Sequence, residues 1–329
     1  MTVKFGAFAP QGWRMDLVEV NGAVEKYEAM TAVAVEAERL GFDSVWLYDH
    51  FHTVPEPTLE ATFEVWTSMA ALARDTSTIK LGQLVTCNSF RNPALLAKVA
   101  STVDVLSHGR AILGLGAGWA AGEYEAYGYE LPYPDTAERL ARLGEAAQVI
   151  LKMWTEPHAN FEGKYYRVKD AINEPKGVQQ PHIPLWIGGA GEKVTLKLVA
   201  KYADACNVTD STDPAFYRHK FEVLRKHCQE QGRDFNSILK TASFTVYAAH
   251  NRQELEQLTV PYRGGRSLEE LARGSAVGTP EELIQTFRGM IEAGVEYFAC
   301  YFAEPVKMHS MRLFAEEVMP ALVELQPGN

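Results

Sequence analysis

Apolar residues recur along this chain in two alternating modes. Short, mostly apolar runs of four to eleven residues, the signature of strands buried on both faces, occupy 3–9, 44–48, 81–87, 111–115, 184–187, 205–208, 239–249 and 297–302. Between them lie longer stretches with apolar residues every three or four positions, the helical period, at 27–40, 63–73, 94–106, 135–154, 192–202, 214–231, 279–294 and 308–325. Punctuation falls where those periods change. Gly41 and Gly232 stand at predicted helix ends, Asp135 is a predicted cap, and Thr279-Pro280-Glu281-Glu282 combines a cap, an N1 proline and first-turn acids. Residues 80–119 form one strand–loop–helix–turn–strand unit, which requires parallel pairing and a right-handed crossover. About eight such alternations, with no composition break marking a linker, predict a (β/α)8 TIM barrel over 1–329 as a single domain. An open doubly wound sheet is the other architecture this alternation allows. Two segments read as insertions: a hairpin near 160–170, where NFEGKYYRVKD alternates around Glu-Gly, and a long polar connection near 251–276, a lid or an insertion.

Composition narrows the class. Of 329 residues, 47% are hydrophobic and 22% charged, an ordinary globular balance. A net charge of −10 argues against nucleic acid as a partner. No run approaches the ~20 apolar residues of a membrane span, and MTVKFGAFAP enters a strand without a signal-peptide pattern, so the expected location is cytoplasmic. Four scattered cysteines without C-x-x-C spacing fit a reducing compartment. The nine histidines are dispersed without H-E-x-x-H spacing, so no metal is expected, and no G-x-S-x-G supports a hydrolase.

In a barrel, ligands bind where the strands end. Asp49-His50 ends the second strand, a carboxylate beside a group that titrates near neutrality; it is either an acid/base site or a solvated polar pair. His52 is the weaker candidate. Gly116, Gly118 and Ala121 fit G-x-G-x-x-A, but no acid-ended strand follows, so the dinucleotide reading fails. Gly188-Gly189-Ala190-Gly191 before a helix is a better-specified phosphate site, its alternative being a plain turn. Cys87 reads as a packed or cofactor-facing thiol. Trp13, Trp119 and Tyr124 either wall an aromatic substrate pocket or pack under loops.

DSVWLYDHF at 43–51, the run 84–119, PLWIGGAG at 184–191 and F-x-G-x-Y-Y-x-V at 161–168 resemble the bacterial luciferase-like superfamily, most closely its branch using the deazaflavin coenzyme F420. The resemblance implies a homodimeric barrel enzyme with a small-molecule substrate and F420 as cofactor, FMN being the alternative. It assigns Asp49 and His50 to the cofactor and the hydride-transfer step. A non-proline cis peptide is implied near 83–85, so Leu84, Val85 and Thr86 would lie behind the ring. Gly118 would face the ring and Gly188, Gly189, Ala190 and Gly191 would hold phosphate. Two departures bear on the substrate. Trp119 stands where F420-dependent glucose-6-phosphate dehydrogenases carry an acidic glutamate, and 209–213 (TDSTD) lacks their phosphate-binding lysine, so a sugar phosphate is not expected. The rival reading is an FMN-dependent monooxygenase fed by a partner reductase. A third is a barrel that binds a metabolite without turning it over.

Overall fold

The computed structural model describes residues 2–129, 132–209, 211–325 and 327–328. Eight parallel strands make the barrel: β1 (Lys4–Phe8), β2 (Ser44–Leu47), β3 (Lys80–Gln83, resuming at Thr86–Cys87), β4 (Ala111–Gly116), β5 (Leu185–Gly188), β6 (Ala205–Thr209), β7 (Leu239–Ala248) and β8 (Tyr297–Phe302). Each pairs with its successor, and β8 pairs with β1 in the register Lys4↔Tyr297 to Ala7↔Cys300. That last pairing closes the sheet, which an open doubly wound arrangement cannot do.

The alternation of side chains along each strand makes two cores. Phe5, Ala7, Val45 and Leu47 face outward against the helices, while Phe8, Trp46, Ile112, Trp186 and Tyr297 fill the interior. Trp46 and Trp186 sit 4.6 Å apart, with Tyr297 edge-on to Trp186 at 5.1 Å. A Cβ on Gly6 or Gly82 would strike Trp46, so glycine at both positions makes room for the indole. The large rings plug the barrel interior, and a cavity opens at the carboxyl ends of the strands.

The helices are α1 (Ala23–Arg39), α2 (Val65–Asp75), α3 (Pro93–Leu106), α4 (Ala121–Ala126), α5 (Thr136–Thr155), α6 (Thr195–Tyr202), α7 (Pro214–Gln231), α8 (Arg252–Arg263), α9 (Leu268–Leu271), α10 (Pro280–Glu292) and α11 (His309–Leu313). Caps sit where the sequence places them. Asp135 accepts from Glu138 N at 2.8 Å, Thr279 and Glu282 form a capping box, and Gly232 ends α7 at φ 66°.

The structure refines the sequence reading in four places. Strand three breaks at a cis Leu84–Val85 peptide, inside the segment where one was expected. The loop 119–134 contains α4. The predicted helix 308–325 passes from α11 into a π turn at Phe314–Val318 and a 3-10 turn at Met319–Ala321, because Pro320 has no N–H to offer Glu316 O. The connection 251–276 is an ordered shoulder. It comprises α8, α9 and a short strand, Ser275–Gly278, parallel to the far half of β7; Leu255 and Leu271 pack on Tyr247 and Ala303. None of its described residues lines the central cavity, so it is an insertion and not a lid.

The hairpin is present as Ala159–Glu162 paired antiparallel with Arg167–Ala171. Glu145 on α5 pins its turn by accepting from Lys164 N, Tyr165 N and Tyr166 N at 2.8, 2.8 and 3.0 Å. Among the described residues, no helix is long and apolar enough to cross a membrane.

Candidate active site

The carboxyl ends of the strands enclose one cavity of ≈ 960 Å³. Asp49 and His50 after β2, Leu84 and Val85 in the β3 break, Gly118 after β4 and Gly188–Gly191 after β5 all line it, as do Trp13 and Trp119. The acid/base candidate and the phosphate candidate therefore share one space.

His50 is buried and held on three sides. The Trp13 indole stacks on its ring at 4.2 Å and 15°, and Trp119 meets it edge-on at 5.4 Å. Its Nδ1 lies 2.7 Å from Glu123 Oε2. Glu123 also accepts from Phe51 N at 2.7 Å and His52 N at 3.3 Å through Oε1. Burial pushes the Glu123 carboxyl upward, but the bond and charge of His50 and the two backbone donors outweigh it, so the group titrates below the usual carboxylate range. An ionised carboxylate only accepts, so Nδ1 carries a proton, and Nε2 is the atom left to exchange one.

A folded pKa below the unfolded value gives stability that is present at neutral pH and lost as pH falls through the folded pKa. Glu123→Gln is accordingly expected to cost stability at pH 7, with the difference from wild type shrinking once pH drops below the ordinary glutamate value of about 4.3. Urea titrations at pH 7 and pH 3.5 check this; a difference that stays the same size at both would refute it.

Asp49 does not orient His50, although the two are adjacent. Its carboxylate turns to Arg91, which donates from Nη1 to Oδ2 at 2.6 Å and from Nη2 to Oδ1 at 3.0 Å, while Cys87 N donates to Oδ2 at 2.9 Å. Arg91 Nη2 reaches Glu64 as well, at 2.6 Å. Burial raises the Asp49 carboxyl against the pull of Arg91. Burial lowers the Arg91 pKa, yet Asp49 and Glu64 more than offset it and the net shift is upward. The network ties the ends of β2 and β3 to the start of α2. Burial, with Asp49 beside it, pushes the Cys87 thiol up to about 12, which removes it as a nucleophile.

The cis bond falls inside the expected 83–85 segment and presents Leu84 and Val85 to the cavity. Val85 occupies the space into which a Cβ on either Gly116 or Gly188 would run. After β5, Gly189 adopts φ +126°, and a Cβ on Gly191 would fall 2.8 Å from Thr195 Oγ1, so the turn calls for glycine at both positions.

Two predicted residues lie elsewhere. Thr86 sits between two cavity-facing residues, Val85 and Cys87, and so faces away; its hydroxyl donates to Gln83 Oε1 at 3.2 Å. Tyr124 follows Glu123 by about 100° on α4 and turns into an aromatic cluster, 4.9 Å from Tyr129 and 5.0 Å from Tyr133. It is not among the residues lining the cavity. Conversely, Glu123, Arg91 and Arg14 carry roles that the sequence reading did not give them. An acid four residues beyond Trp119 was the available signal for Glu123, but it needed α4 to be recognised as a helix.

The family model described as luciferase-like monooxygenase matches residues 3–273. A protein from Intrasporangium calvum named F420-dependent glucose-6-phosphate dehydrogenase is 39% identical over 322 residues, spanning 88% of this chain and 92% of that protein. An F420-dependent secondary alcohol dehydrogenase, solved in complex with an F420-acetone adduct, shares the fold with a TM-score of 0.82 at 22% identity, covering 98% of this chain and 99% of that one. Monooxygenase RslO1 from Streptomyces bottropensis shares it with a TM-score of 0.77 at 22% identity over 96% and 99% of the two chains. The family model spans most of the chain, and the chain belongs to the luciferase-like monooxygenase family.

Proposed function

We propose that the protein is a coenzyme F420-dependent oxidoreductase that moves a hydride between deazaflavin C5 and a small organic substrate. The observation that carries this reading is that His50, backed by Glu123, shares a cavity with the Leu84–Val85 break and the Gly188–Gly191 turn. The F420-dependent relative supports the choice of cofactor. The residues fit such a group: the glycine turn and Gly118 present bare backbone where a Cβ would clash, and Val85 offers an apolar surface to a flat ring.

The bound deazaflavin would supply a ring carbon able to give or take a hydride; the chain supplies position and charge. Backbone N–H groups of the glycine turn and the start of α6 hold phosphate. Leu84 and Val85 support one face of the ring. His50 Nε2 holds the proton that accompanies hydride movement at a carbonyl or hydroxyl oxygen of the substrate. Glu123 keeps the imidazole in place and fixes the proton on Nδ1, leaving Nε2 toward the cavity. Trp13, stacked on the imidazole, shields one face of it from water.

A sugar phosphate is not the proposed substrate, although the Intrasporangium protein is named for one. By the family resemblance Trp119 stands where those dehydrogenases carry an acid, and an indole donates no useful proton. Among the described residues after β6, Ser211, Thr212 and Asp213 supply no lysine; Asp210 lies outside the described residues.

Titration of the purified protein with F420 and with FMN tests the proposal, followed by assays with glucose 6-phosphate and with simple secondary alcohols and ketones. F420 is expected to bind at least tenfold tighter than FMN, and glucose 6-phosphate not to reduce it. Preferential binding of reduced FMN with oxygen consumption would replace this reading with a flavin monooxygenase. Reduction of F420 by glucose 6-phosphate would overturn the substrate assignment.

A further inference from the structure

Arg14, just beyond Trp13 on the loop after β1, is the one Lys or Arg among the described residues lining the cavity. Its guanidinium lies over the Tyr301 ring at 4.0 Å. Nη2 donates to the Thr245 hydroxyl at 3.3 Å, and Tyr48 is a further hydrogen-bond partner. These partners are all neutral. The neighbouring acid, Asp16, feels the Arg14 charge but spends its hydrogen bonds elsewhere: it accepts from Gly12 N at 2.6 Å and from the Tyr301 hydroxyl at 2.8 Å. Arg91 shows the contrast, since its fork is spent on Asp49 and Glu64. A guanidinium has five N–H donors, and two hydroxyl partners leave several for a ligand.

Position decides which ligand. Arg14 is anchored on β7 and β8 through Thr245 and Tyr301. The Leu84–Val85 break belongs to β3, across the closed barrel from β7, and the Gly188–Gly191 turn belongs to β5, with β6 between it and β7. An anion at Arg14 is therefore held by different strands from the phosphate turn. It lies close to His50: the Trp13 indole is 6.0 Å from the guanidinium and 4.2 Å from the His50 ring.

We infer that Arg14 is a specificity-determining residue that binds a carboxylate on the substrate. The carboxylate occupies the fork above Tyr301, and the reacting carbonyl or hydroxyl lies against His50. This rests on the hydride-transfer reading of the same cavity. A single guanidinium matches one negative charge in bidentate geometry, whereas a phosphate dianion calls for further cations that the described lining residues do not provide. Trp13, Tyr48 and Trp119 suit a planar or apolar body between the two polar ends.

Benzoate is the probe, with benzamide as its neutral counterpart, titrated by calorimetry into wild type, Arg14→Met and Arg14→Lys, each with and without F420. Benzoate is expected to saturate wild type, to bind Arg14→Met at least tenfold more weakly and to bind Arg14→Lys with intermediate affinity. Benzamide should bind all three alike, and F420 affinity should be unchanged. Equal benzoate binding to wild type and Arg14→Met, or none to wild type, overturns the inference. Loss of F420 affinity in Arg14→Met also overturns it, because Arg14 would then serve the cofactor. Failure of wild type to bind F420 would sink the cofactor proposal alone, and the benzoate comparison in the cofactor-free protein still decides for or against Arg14. Arg14→Lys keeps a cation over Tyr301, so the comparison survives if the methionine variant does not fold.

Discussion

Replacing His50 with alanine is expected to lower kcat by about 10²–10⁴-fold, the usual contribution of a positioned acid/base, while F420 affinity stays within a few-fold of wild type. The split follows from geometry. His50 is fixed by Trp13, Trp119 and Glu123 at the mouth of the barrel, whereas phosphate would be held by the β5 turn. Stopped-flow reduction or oxidation of F420 gives the rate, and fluorescence titration gives the affinity. A variant as fast as wild type would remove His50 from the mechanism. If activity were intact while F420 affinity collapsed, the imidazole would be a cofactor ligand and nothing more.

Arg91→Met should produce the largest stability loss, about 3–5 kcal/mol, because it leaves Asp49 buried without its partner. Asp49 keeps only the Cys87 N–H in place of three donors. The double variant Asp49→Asn, Arg91→Met should recover part of that loss, since the orphaned charge disappears with its partner. Denaturant unfolding of the wild type, both single variants and the double variant measures the coupling. A single variant within 1 kcal/mol of wild type would mean the network is not holding β2, β3 and α2 together.

The barrel was legible because its signals are local. Each of the eight strands is a short apolar run, five of them closed by Asp49, Asn88, Gly116, Gly188 or Thr209, and each cap at Asp135, Thr279 and Gly232 acts within its own turn. The cavity-lining glycines were legible for the same reason. What escaped depends on pairings distant in sequence. Glu123 finds His50 across 73 positions, and Arg91 finds Asp49 across 42. No spacing rule announces either. Asp49 looked like the partner of His50 because it is its neighbour, yet successive residues point to different sides, and adjacency argued for the wrong carboxylate. α4 escaped because six residues are too few for a helical period to stand out. Thr86 and Tyr124 were misplaced by the same one-residue sensitivity. Each is next to a residue that does face the cavity.

The Val85 side chain fills the ground above Gly116 and Gly188 at once, so three strands share a single volume. Those positions form one epistatic unit: a methyl group gained on β4 or β5 demands one given up on β3. A redesign that enlarges the bed for a different ring must change them in concert, and substitutions tried singly would meet a barrier that the matched pair avoids.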